Sequence, residues 1–293
     1  MTFRKILCPV DFSPGSHRAV EVAVRLARES DAELELVHAL YVPGVLYAGE
    51  YVVPPEDLQR MTEDARRALD ATFGEAQKLG ATRTSAKLLS GVPWSAIMDA
   101  AEDPAIDLLV VGTHGRTGLA RVLLGSVTEK VVRHAPCSVL VVRPDSKVAP
   151  FDHVLCATDF SESSRHAMQL AGTLAQRGGH GITLLHVLEV PGGYTGEPHP
   201  PGLYRQLDRA SAAVLDRWGS ELRAVTDVPA QTRTRVGYAG AQTLAAIDAD
   251  PTIDLVVVGT HGRTGLTRIL LGSVAEKVIR HARCPVLVAR HRT

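Results

Sequence analysis

The chain has 293 residues, 45% hydrophobic and 22% charged, enough for two domains of ordinary size that each bury a core. Lys plus Arg and Asp plus Glu are both 32, so the formal net charge is zero. No overall field draws the chain to nucleic acid or an anionic membrane, and an anion site must be local.

In chain order, residues 3–10 form a short apolar run ended by Asp11, and Ser13-Pro14 supplies an N-cap with proline in the first turn. A helix follows to about Ser30, with Ala19, Val20, Ala23, Val24 and Ala27 on one face. Residues 34–39 read as a second strand and 41–55, rich in Gly, Pro and Tyr, as a loop; a charged amphipathic helix then runs to Leu79, before Gly80. Residues 82–89 alternate polar and apolar, which suits an edge strand. A helix of about ten residues closes near Pro104, and the continuously apolar run 106–111 reads as a central strand. Ser126-Val127-Thr128-Glu129 has the spacing of a capping box opening a helix to His134, and residues 138–143 are a last strand. Residues 144–150 are a linker, giving domains over 1–145 and 150–293.

The second half repeats this order: strand 154–158 before Asp159, helix 161–176, strand 182–188, a Pro- and Gly-rich loop 191–202, helix 203–224, a polar edge strand near 232–236, strand 253–258, a helix from Ser273 and strand 286–290. Strands alternating with helices predict a parallel α/β sheet in each half. The four cysteines, Cys8, Cys137, Cys156 and Cys284, fall at corresponding places in or beside apolar runs and read as buried reduced thiols. The N-terminal segment reaches Asp11 too soon to hold a signal-peptide apolar region, and no apolar run approaches the roughly 18 residues of a spanning helix, so a cytoplasmic protein with no membrane partner is expected.

Between strand 106–111 and the helix at Ser126 lies Gly112-Thr113-His114-Gly115-Arg116-Thr117-Gly118, closing on Gly125-Ser126; Gly259-Thr260-His261-Gly262-Arg263-Thr264-Gly265, closing on Gly272-Ser273, repeats it. Glycines let backbone N–H groups approach a ligand closely, and a helix start attracts anions, so the pattern suits a phosphate chain. It is neither the Gly-x-x-x-x-Gly-Lys-Ser/Thr loop nor the dinucleotide fingerprint. The twelve histidines contain no i,i+4 pair and there is no Cys-x-x-Cys, so no dedicated metal site is expected; His38 and His186 read as strand residues, His114 and His261 as loop residues.

The duplicated Gly-x-x-Gly-x9-Gly-Ser, with an aspartate ending the first strand of each half, resembles the ATP-binding branch of the universal stress protein family, over essentially the whole chain. The resemblance implies two tandem flavodoxin-like, Rossmann-like α/β domains, each an open five-stranded parallel sheet with helices on both faces, and supplies the strand order that sequence order alone does not prove. It implies that Pro9, Val10 and Asp11 line the adenosine side, that Ala39 meets the adenine edge, that Val111, Gly112 and Gly115 flank ribose and phosphates, and that Gly125, Ser126 and Val127 hold the outer phosphates. The matching positions are Ala157, Thr158, Asp159, Val187, Val258, Gly259, Gly262, Gly272, Ser273 and Val274, with Ala157 departing from Pro9. Arg116, Arg121, Arg263 and Arg268 sit inside the loops, where they would help neutralise phosphate. Asp11 also reads as a helix cap.

The function expected is an ATP-binding, nucleotide-responsive regulator rather than a turnover enzyme, with Mg²⁺ or Mn²⁺ arriving on the nucleotide. No general base beside the outer phosphate is visible; the capping boxes account for Glu129 and Glu276. Three alternatives stay open: slow ATP hydrolysis or nucleotidyl transfer, a dimerising stress protein with a vestigial site, and an electron-transfer flavoprotein subunit. Apolar last strands predict pairing of the two halves within one chain, with association of two chains as a homodimer. Loops 41–55 and 191–202 are expected to act as flaps by the nucleotide.

Overall fold

The structure is a computed structural model. It describes residues 3–42, 45–47, 50–113, 124–146, 148, 151–178, 181–189, 203–226, 228–260 and 271–292. The chain divides into two compact units, over residues 3–148 and 149–291.

The first unit runs β1 (Lys5–Pro9), α1 (Pro14–Ser30), β2 (Glu33–Leu40), β3 (Val45–Tyr47), β4 (Glu50–Val52), α2 (Pro55–Lys78), β5 (Thr84–Ser90), α3 (Pro93–Ala101), β6 (Ile106–Gly112), α4 (Ser126–His134) and β7 (Ser138–Val142). Five strands form a parallel sheet in the order β7-β6-β1-β2-β5, with Cys8 opposite Leu36 and Leu109 opposite Val139. The central strands are apolar on both faces because helices cover both: α1 and α2 contact each other, as do α3 and α4. Ile6, Leu7, Leu34, Leu36, Leu108 and Leu109 are fully buried between these layers. The terminal strand β5 is mostly exposed, as its alternating sequence requires.

Helix α1 forms where Ser13 caps it, its side chain accepting from the Ser16 N–H at 3.2 Å with Pro14 in the first turn. Its Ala and Val stripe is buried, and it stops at Asp31, in left-handed backbone with φ 54°. Helix α2 buries Ala65, Leu69, Thr72 and Ala76 at three- and four-residue intervals, the period of one helical face.

The second unit runs β8 (Val154–Thr158), α5 (Glu162–Gly178), β9 (Ile182–Leu188), α6 (Leu203–Thr226), β10 (Ala230–Val236), α7 (Ala239–Ala249), β11 (Leu255–Gly259), α8 (Ser273–His281) and β12 (Val286–Ala289). Its parallel order β10-β9-β8-β11-β12 repeats that of the first unit. All four cysteines are buried; burial alone pushes the Cys156 thiol up to about 12 and raises Cys8 in the same way, so both remain thiols. Among the described residues no helix is long and apolar enough to cross a membrane.

Two sequence expectations are corrected. The segment expected as a loop over 41–55 contains the antiparallel hairpin β3–β4, pairing Val45 with Val52 and Leu46 with Tyr51. β-Branched and aromatic residues in both runs favour extended backbone, although each run is too short to show a period. The capping boxes do not form either. Gly125 and Gly272 are the N-caps, with no side-chain cap bond, which places Ser126 and Ser273 at the first helical position. Glu129 and Glu276 turn instead to Arg133 and Arg280 one turn on. The segments 114–123, 190–202 and 261–270 lie outside the described residues, and with them Gly115, Arg116, Arg121, Gly262, Arg263, Arg268, His114, His261 and the second flap.

Candidate functional site

The chain winds from β1 out through β2 to β5, then returns to β6 and β7 on the other side of β1, so the winding reverses between β1 and β6. In open α/β sheets the carboxyl ends of strands at such a reversal border a crevice. A cleft of about 450 Å³ lies there, within the size range of small-molecule sites. The end of β1 contributes Pro9, Val10 and Asp11, β2 contributes Ala39, and β6 contributes Val111 and Gly112. The start of α4 adds Gly125, Ser126 and Val127. Neighbouring strands are about 4.8 Å apart, so the cleft extends about 10 Å from β6 across β1 to β2.

The end of the cleft at the start of α4 is built from backbone. The Gly125 N–H is used locally, donating to the Thr113 carbonyl at 2.8 Å, which holds the start of α4 beside the end of β6. The first intrahelical bond of α4 runs from the Glu129 N–H to the Gly125 carbonyl at 2.8 Å. The N–H groups of Ser126, Val127 and Thr128 therefore have no acceptor within their helix and point out of its positive end. Thr128 fixes this end to the sheet, its hydroxyl donating to the Gly112 carbonyl at 2.7 Å.

Gly112, which lines the cleft, also serves packing. A Cβ there would lie 2.8 Å from both the carbonyl carbon and the oxygen of Gly15, so its missing side chain lets the first turn of α1 sit on the end of β6.

The middle of the cleft turns on Asp11. Its carboxylate accepts from the Ser13 N–H at 3.0 Å, leading the chain into the cap of α1, while the residue also lines the cleft. Capping and cleft-lining thus coexist. The next residue, Phe12, is left-handed at φ 64°, a conformation that costs a non-glycine residue roughly 1–2 kcal/mol. Its ring lies against that of His38, centroids 4.5 Å apart. His38 is buried and its Nδ1 is 2.7 Å from the Val10 carbonyl; since a carbonyl only accepts, Nδ1 carries the proton. Sequence reasoning treated His38 as an ordinary strand residue, yet it holds the turn that presents Asp11.

The second unit repeats the arrangement in a cleft of about 400 Å³. Ala157 and Thr158 come from β8 and Asp159 from just past it, Val187 from β9, and Val258 and Gly259 from β11. Gly272, Ser273 and Val274 come from the start of α8. The Gly272 N–H donates to the Thr260 carbonyl at 2.8 Å, and Asp159 accepts from the Ser161 N–H at 3.1 Å and its hydroxyl at 2.6 Å. Phe160 is left-handed at φ 66° and stacks on His186, whose Nδ1 donates to the Thr158 carbonyl at 2.8 Å. The recurrence of Asp-Phe-Ser and of the strand histidine at matched positions is the signal that could have revealed this device from sequence.

Both clefts thus gather every sequence-predicted site residue that lies within the described part of the chain. They also contain residues that were not anticipated: Tyr41, Met61, Pro93 and Ile97 in the first, and Glu189, Ala239 and Thr243 in the second. These come from just past β2 and from α2 and α3, or from just past β9 and from α7, whose meeting depends on the sheet order. Among the described residues no group of three or more His, Cys, Asp or Glu could hold a metal ion.

The sequence matches the Universal stress protein family twice, over residues 2–143 and 150–290. A universal stress protein of Mycolicibacterium smegmatis is 32% identical over 298 residues, covering 98% of this chain and 97% of its own. One of Mycobacterium tuberculosis is 29% identical over 298 residues, covering 97% and 96%. A universal stress protein from Archaeoglobus fulgidus of known structure shares the fold, with TM-score 0.72 at 21% identity over 99% of this chain and 98% of its own. With one match in each half and relatives similar along nearly their entire length, the chain belongs to the Universal stress protein family, as a tandem member.

Proposed function

We propose that each unit binds one ATP and that the protein is a nucleotide-responsive regulator. The observation that carries this reading is the helix start at Ser126, repeated at Ser273, facing a strand-end cleft with three backbone N–H groups lacking intrahelical acceptors. Such an end suits the outer phosphates. Asp11 and Asp159 stand one strand over, where a ribose hydroxyl would donate to them, and the base reaches the ends of β2 and β9. A divalent ion would be carried on the phosphates, with no protein cage of its own.

We favour a regulator over a turnover enzyme because the acidic residues in the first turns of these helices, Glu129 and Glu276, are engaged by Arg133 and Arg280. The relatives, too, carry the name of stress proteins rather than of an enzyme. Calorimetric titration with MgATP tests the proposal: two equivalents are expected, and Gly125→Glu and Gly272→Glu should each remove one by placing a side chain and a negative charge at a helix start. Wild-type protein that binds no ATP, or a double variant that still binds two equivalents with unchanged affinity, would overturn it. Steady phosphate release above that of the double variant would favour an ATPase instead.

A further inference from the structure

The two clefts agree at the phosphate end and differ at the base end. In the register of β1 with β2 and of β8 with β9, Pro9 opposes Val37 and Ala157 opposes Leu185. Counting four residues on from each, Tyr41 and Glu189 occupy matched positions just past the strand ends, and both line their clefts.

The difference is linked to the helix that follows. In the first unit Pro93 opens α3 and has no N–H to satisfy, so no acceptor is needed there. In the second, Ala239 opens α7 and its N–H donates to Glu189 Oε1 at 2.7 Å. That bond engages one carboxylate oxygen. Among the described residues Oε2 has no partner. Glu189 lies two residues beyond Val187, on the same side of the extended chain. Ile97 on α3 corresponds to Thr243 on α7, whose hydroxyl is committed to the Ala239 carbonyl at 2.8 Å.

We infer that Glu189 is a specificity residue, making the second cleft select a purine with an amino group at position 6 over one with a carbonyl there. The inference rests on the nucleotide reading above. An ionised carboxylate accepts hydrogen bonds and cannot donate, so it complements an exocyclic amine and repels a carbonyl oxygen. Tyr41 can present a hydroxyl that donates or accepts, beside the apolar Met61 and Ile97, and has no such bias.

The test compares ATP with inosine triphosphate by calorimetry in single-site proteins, Gly125→Glu leaving the second cleft and Gly272→Glu the first. The ATP preference should be about tenfold greater in the second cleft than in the first. Adding Glu189→Gln to the Gly125→Glu protein should abolish that excess. The amide oxygen keeps the bond to Ala239, so the thermal midpoint should hold, while the amide nitrogen replaces an acceptor with a donor. Equal preferences in the two clefts, or a preference unmoved by Glu189→Gln, overturns the inference while leaving nucleotide binding intact. Failure of wild-type protein to bind ATP overturns the nucleotide reading and the inference with it.

Discussion

Replacing Ser126 with proline isolates the backbone donor at the helix start. Proline is tolerated at the first helical position, and α1, α2 and α3 already open with Pro14, Pro55 and Pro93. The preceding residue must be extended, and Gly125, at φ −60° and ψ 143°, is. The N–H removed has no acceptor within α4, so the helix loses no bond and stability should change by under about 0.5 kcal/mol. Binding should respond differently. A hydrogen bond to a charged group contributes about 1.5–3 kcal/mol, which weakens ATP binding by about ten- to over a hundredfold. Ser126→Ala, which keeps the N–H and removes only the hydroxyl, separates the two contributions. Titration calorimetry in a Gly272→Glu background reads the first cleft alone, and urea denaturation checks the fold. Unchanged affinity in a stably folded Ser126→Pro protein would refute the assignment of this N–H to the phosphate.

Other outcomes follow from the packing around the clefts. Gly112→Ala should lower stability by about 1–3 kcal/mol, because the new methyl meets the Gly15 backbone, whereas Gly74→Ala, with nothing within 4 Å, should raise it by up to about 1 kcal/mol; urea midpoints distinguish them. Thr128→Val removes the hydroxyl bond to the Gly112 carbonyl and should cost about 1–3 kcal/mol in the same assay. His166, whose ring centroid is 3.7 Å from that of His291, is held below its ordinary pKa of 6.5, first by burial and then by His291. The folded state then binds this proton less readily than the unfolded chain, so the contribution is present above pH 6.5 and lost as pH falls through and below it. The urea midpoint of the second unit should fall over that window in wild type and less steeply in His166→Gln; equal slopes would contradict this. Hydrogen exchange in the β3–β4 hairpin should slow when ATP is added, and an unchanged rate would argue against a flap.

The sequence by itself determined what depends on neighbours along the chain. The Ala and Val stripe of α1 marks the face it buries, Ser13 and Pro14 mark its start, and the apolar run at 106–111 announces a strand covered on both faces. The doubled glycine pattern showed that whatever stands at the end of β6 stands again at the end of β11. Local pattern carried less where a segment was short or a residue had two competing uses. The three-residue strands of the hairpin are shorter than any detectable period, and Ser126 fits a capping box although the chain enters the helix one residue earlier, at Gly125. Only the tertiary structure decided which side chains share a cleft. The ends of β1, β2 and β6 meet because the strand order reverses beside β1, a matter of pairing between segments up to about a hundred residues apart that no local periodicity encodes. For the same reason Gly112 proved to be a contact with α1, His38 the support of the turn at Asp11, and Glu189 a cleft residue joined to the start of α7. Each acts on an element distant in sequence, and its role exists only once the sheet has brought that element alongside.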